Sequence, residues 1–130
     1  MSEISGADAL DLAKRYKQAA TNLGQYQLDN WESLTTDQRR LLTDEEYTLL
    51  DNSQNLVTYA VGVLLDDAQA SLDKIKQATD EANKAIQTVA DFKKVLGIAT
   101  ALVTLAAAIT AGNPGGIASA VGDLGDAVAA

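Results

Sequence analysis

Apolar residues recur at intervals of three and four along nearly the whole chain and almost nowhere alternate with polar ones, the spacing of one helix face rather than of a strand. In the first segment Ala9, Leu12, Tyr16, Ala19, Leu23 and Tyr26 form a narrow seam of coiled-coil type. Ser5 stands where an N-cap is wanted and Gly24 where a left-handed residue would end the helix, so the pattern predicts a helix over 6–23. Residues 25–36 lapse into a polar connector. Its tryptophan, Trp31, is expected to plug one end of a bundle, or to anchor a partner if its ring is exposed. Thr35 with Gln38 and Thr43 with Glu46 are two capping-box signatures, which predict a short helix over 37–42 and a fresh start at Asp44.

Beyond Asp44 the stripe Val57, Val61, Leu64, Ala68, Leu72, Ile75, Thr79, Ala82, Ile86, Val89 keeps helical spacing, and no proline occurs before Pro114. The segment reads as one helix over 44–111, about 100 Å long at 1.5 Å per residue. The alternative is a fold-back near 78–80 with Thr79 or Asp80 as cap, which would make a shorter antiparallel bundle. Neither glycine nor proline marks that turn, so the long helix is preferred, and its seam would require a second subunit or another protein. The expected fold is all-α: one domain over 1–130, an elongated bundle of long helices that ends in a helix over 116–129.

Residues 95–122 carry no charge. Within them a helix candidate over 95–111 is followed by Gly112-Asn113-Pro114-Gly115-Gly116, a strong helical-hairpin signal, so 95–130 reads as an apolar hairpin. On a helical wheel Val95, Leu96, Ile98, Leu102, Val103, Leu105 and Ile109 occupy one half. Gly97, Thr100, Ala101, Thr104 and Ala108 occupy the other, a small-residue face of the kind that lets helices approach closely. Pro114 opens the second arm, whose apolar edge is Ile117, Val121 and Leu124. Seventeen helical residues span roughly 25 Å, short of a hydrocarbon core of about 30 Å, which disfavours a permanent membrane anchor. Two readings stand: a core or oligomer seam, and a sheltered hairpin that is released into lipid.

Ten basic and eighteen acidic residues give a net charge of −8, with the basic ones scattered. Nucleic-acid binding needs a concentrated positive field, so none is expected. Cysteine and histidine are absent, which removes disulfides, thiol chemistry and Cys/His metal sites. The carboxylates stand at helical spacing from lysines, Asp73 with Lys76, Asp80 with Lys84 and Asp91 with Lys94, and read as solvated surface pairs. No enzyme, cofactor, metal or small-molecule substrate is expected. An acidic N-terminal segment unlike a signal peptide fits a cytoplasmic protein, or one released without a cleaved signal and membrane-associated in one state.

Polar heptads running into an Ala/Val/Leu/Thr segment, the Gly-Asn-Pro-Gly-Gly turn and a second weakly apolar helix resemble, over 72–130, the head hairpin of α-helical pore-forming toxins of the cytolysin A and haemolysin BL type. The resemblance is one of architecture, and it implies a membrane-active hairpin and oligomerisation. The residue-based expectation is a helical assembly protein acting as a homo-oligomer or on a helical protein partner.

Overall fold

The computed structural model describes residues 2–67, 70–89 and 91–130. Over these residues it is all-α, with five α-helices, α1 (Gly6–Asp29), α2 (Thr36–Tyr59), α3 (Leu72–Thr88), α4 (Phe92–Ala111) and α5 (Pro114–Ala129). One small antiparallel ribbon is added, β1 (Ser2–Glu3) against β2 (Leu64–Leu65), with Ser2 opposite Leu65 and Glu3 opposite Leu64.

Local chemistry explains most helix ends. The Ser5 hydroxyl accepts from the Asp8 amide at 3.1 Å to start α1. Thr35 and Gln38 form both halves of a capping box on α2, at 3.1 and 2.9 Å. Ser71 caps α3, and Asn113 caps α5 with proline in its first turn.

Several predicted boundaries move. α1 continues through Gly24 to Asp29, and Gly24 lies against α2, where a Cβ would come 3.0 Å from Glu46 Oε1. The break between 42 and 44 is absent. Leu42, Leu49 and Leu56 are buried one heptad apart along a single α2, and Thr43 gives its hydroxyl to Gln27 Oε1 at 3.2 Å instead of capping a new helix.

The helix expected over 44–111 is three helices: α2 ends at Tyr59, α3 runs from Leu72 to Thr88 and α4 begins at Phe92. Residues 78–80 lie inside α3, where the Thr79 hydroxyl bonds back to the Ile75 carbonyl at 3.0 Å. The first break rests on Gly62, at φ +83°, a conformation other residues adopt at a cost. Its amide donates to the Ile4 carbonyl at 2.7 Å while Ile4 donates to Val63 at 2.9 Å. At the second break α3 ends at Thr88 with Val89 as C-cap, and α4 starts on Asp91 as N-cap. The last helix begins at Pro114, two residues before the predicted start. Of the predicted stripe, Val57, Val61 and Leu64 are exposed, whereas Ile75, Thr79, Ala82 and Ile86 are buried. Ala68 lies outside the described residues.

Hydrogen bonds between helices set the directions. Ser53 Oγ donates to the Ala13 carbonyl and Thr43 pairs with Gln27, so α1 and α2 are antiparallel. Lys76 meets Asp8, Arg15 meets Asp80 and Asn22 meets Asn83, so α1 and α3 run parallel. α4 packs against α1, α2, α3 and α5, and seven of its side chains enter the core.

Candidate interaction surface on the apolar hairpin

α4 begins on Asp91, whose carboxylate accepts from the Lys93 amide at 3.3 Å, and ends on Gly112 in the left-handed region at φ +75°. It is therefore 20 residues long, about 30 Å, three residues more than the uncharged run suggests. Among the described residues it is the one helix long and apolar enough to cross a bilayer, with a mean hydropathy of 1.8.

Its side chains are sorted by size. Val95, Ile98, Leu102, Leu105 and Ile109 are buried, joined by Ala99 and Ala106, which the wheel overlooked because they sit between the larger residues of that sector. Leu96 and Val103, placed in the buried half from sequence, lie on its border and are half-buried, as are Ala101 and Ala108 on the opposite border. Gly97, Thr100 and Thr104 face outward with Ala107 and Ala111. The Thr104 hydroxyl bonds to the Thr100 carbonyl at 3.1 Å, so its methyl group is what it presents. On α5, Ile117 and Leu124 are buried with Ala120, while Pro114 and Val121 are half-buried.

A buried polar contact ties down this half. Tyr16, with no exposed surface, donates its hydroxyl to the Leu102 carbonyl at 2.6 Å. Burial pushes the Tyr16 phenol well above the ordinary tyrosine range. The bulky face of the hairpin is thus spent inside the protein.

The outward side has a different character. Ideal Cβ atoms built on Gly97, Gly122 and Gly125 meet nothing within 4 Å, and all three glycines are exposed within helices. A glycine inside a helix costs about 0.5–1 kcal/mol relative to alanine. Packing within this chain offers no compensation for that cost at these positions.

Trp31 does not plug the bundle. It is 48% exposed, and the Arg39 guanidinium lies 4.1 Å from its ring centroid. Arg39 also donates to the Trp31 carbonyl through Nε, at 3.1 Å, and Nη2. The exposure an interface anchor needs is therefore met.

The expected charge pairs give way to a network that joins α1 to α3 and includes the Arg15–Asp11 pair along α1. Lys76 bridges Asp8 and Asp11 at 3.3 and 3.1 Å, and Arg15 bridges Asp80, at 2.9 Å, and Asp11. Asp91 caps α4. The Arg15 hydrogen bond holds the Asp11 carboxyl below its usual range against the opposing effect of burial, and Lys76 adds to the lowering. Further along this seam Asn22 accepts from Gln18 at 2.8 Å and Gln87 at 3.2 Å and donates to Asn83 at 3.1 Å. Beside Asn22 opens a cleft of about 310 Å³, walled by Gln25, Tyr26, Gln87 and Asp29. Its one carboxylate, Asp29, already accepts from Gln25 at 2.8 Å. Among the described residues no three His, Cys, Asp or Glu side chains are grouped to hold a metal ion. In comparisons with family models, with curated proteins and with solved structures, the chain matches none.

Proposed function

We propose that this protein is a non-catalytic helical assembly protein that self-associates through the outward side of the α4–α5 hairpin. The observation that carries this reading is the set of exposed helical glycines, Gly97, Gly122 and Gly125, with open space above each. Small residues allow two helix backbones to approach closely, and a two-fold interface sets the same patch against itself. The uncharged stretch of α4 suits such a contact, because copies carrying −8 each repel where charges face one another.

Sedimentation equilibrium of the wild type against the Gly97→Leu/Gly125→Leu variant tests it. Both positions are open at the Cβ and the variant gains helix propensity, so it unfolds at higher denaturant concentration than wild type while its association is lost. A wild type that stays monomeric to millimolar concentration, or a variant that associates equally well, refutes the reading.

A second reading is a membrane-active protein that inserts the hairpin, and the length and hydropathy of α4 favour it. Insertion would have to break the Tyr16–Leu102 contact and carry the bulky face from protein to lipid. Flotation and dye release with neutral liposomes decide it. Wild type that neither floats nor releases dye, alongside a Leu102→Asp variant that unfolds in solution, removes this reading.

A further inference from the structure

A second uncharged run precedes α3. Residues 52–65 contain no Asp, Glu, Lys or Arg, and Asp51 and Asp66 close it at either end. It holds the end of α2, the turn at Gly62 and β2. Four large apolar side chains stand exposed on it: Val57, Tyr59, Val61 and Leu64, the tyrosine at 62% and Val61 at 52%.

α4 starts beside the C-terminal end of α1, where the Asp91 charge reaches Tyr26, and runs back past Tyr16 toward the N-terminal end of α1, where α2 also finishes, so this run lies beside the tip of the hairpin. Tyr16 sets the level of Leu102, and Ala13, three residues earlier on α1, sets the level of Ser53. At 1.5 Å per residue, Ala111 lies about 13 Å beyond Leu102, and Tyr59 lies the same distance beyond the Tyr16 level. α2 and α4 pack directly on each other, with their axes roughly 8–10 Å apart where they touch. The exposed Ala111, Asn113 and Gly115 of the hairpin tip and the apolar side chains of 57–64 therefore share one pole of the bundle. Two neutral stretches some fifty residues apart in sequence meet there.

The pole is held in shape. Ile4 hydrogen-bonds on both sides of the turn, to Gly62 and to Val63. Its border is acidic: Glu3 is exposed opposite Leu64, and Asp67, also exposed, accepts from Ser2 Oγ at 2.7 Å. A second copy would bring the same acidic border against this one, and an anionic bilayer would meet like charge.

We propose that this pole is a docking surface for a partner protein segment that is apolar at its centre and basic at its edges, such as an amphipathic helix with lysines flanking a leucine face. A helix of 14 residues, about 21 Å long, reaches across the ends of both α2 and α4. The surface is distinct from the outward glycines of α4 and α5, so it stands whether or not the protein self-associates.

The test uses the full chain, isotope-labelled, and two synthetic 14-residue amphipathic peptides, one of leucine and lysine and one of leucine and glutamate. The lysine peptide is expected to move amide signals over 57–64 and 111–116, and the glutamate peptide to leave them in place. Tyr59→Ser/Val61→Ser, which alters no charge and touches exposed positions, is expected to weaken binding at least about tenfold with the denaturation midpoint unchanged. Glu3→Gln is expected to weaken it by a smaller factor. Shifts spread along the charged seam of α1 and α3 with unchanged affinity in the double serine variant would mean attraction to acidity alone, and would overturn the proposal. So would binding of phosphatidylcholine vesicles at this pole by a chain that ignores the lysine peptide.

Discussion

The hydroxyl of Tyr16 and the carbonyl of Leu102 lie 2.6 Å apart with no water-accessible surface on the ring, and this contact ties the middle of the first helix to the middle of the most apolar one. Tyr16→Phe is expected to lose about 1 kcal/mol of unfolding free energy, the net worth of one buried hydrogen bond. Tyr16→Ala loses about 3–5 kcal/mol through the cavity it leaves. Urea denaturation followed by circular dichroism reads both. The tyrosine also predicts alkaline sensitivity. Its pKa is raised in the folded state, so its stabilisation is whole below the unfolded value near 10 and is lost as the pH climbs above it. Tyr16→Phe flattens that decline.

Asp11 behaves in the opposite sense. Its pKa is lowered by Arg15 and Lys76, so its contribution is present above the unfolded value of about 4 and disappears as the pH falls through the folded value. Asp11→Asn is expected to cost about 0.5–1 kcal/mol at neutral pH and low salt, the range of partly exposed ion pairs. The difference from wild type shrinks in molar salt and in acid, as unfolding curves across pH and salt will register.

Glu45 carries a raised pKa caused chiefly by burial, with Asp44 adding to it, and its Oε2 atom is buried without a hydrogen-bond partner. Its favourable contribution is therefore present at acid pH and is lost as the pH rises through its folded value. Glu45→Gln is expected to raise the neutral-pH melting temperature by a few degrees, equivalent to no more than about 1 kcal/mol, and to change nothing near pH 4. A variant less stable than wild type at pH 7 would contradict this account.

Two glycine substitutions should differ in sign. Gly112 sits at φ +75°, so Gly112→Ala is strained and is expected to cost about 1 kcal/mol. Gly97 has ordinary helical geometry and open space, so Gly97→Ala is expected to gain about 0.5–1 kcal/mol. Parallel denaturation of the two variants checks the pair.

What could be read from sequence was local. The Ser5 cap, the Thr35 box, the Gly112 turn and the bulky and small halves of α4 all follow from neighbours within a few residues. The failures required contacts from elsewhere in the chain. Gly62 breaks the long apolar stripe because Ile4, some sixty residues earlier, takes up its backbone hydrogen bonds. Gly24 resembles a terminator but makes room for Glu46. Lys76 and Asp80 have acceptable partners within their own helix, and only the packing of α1 against α3 selects Asp8, Asp11 and Arg15 instead. Ser71 and Asp91 were missed boundaries with a visible signal, each an N-cap residue directly before a helix.

The order of the helices along the chain also bears on synthesis. α1 and α2, which are antiparallel and joined by a short connector, precede α4, and they supply the Tyr16 hydroxyl and the Leu42, Leu49 and Leu56 seam. A nascent chain emerges from its N-terminus and begins to fold before it is finished. The most apolar helix thus leaves the ribosome after two of the helices that it packs against.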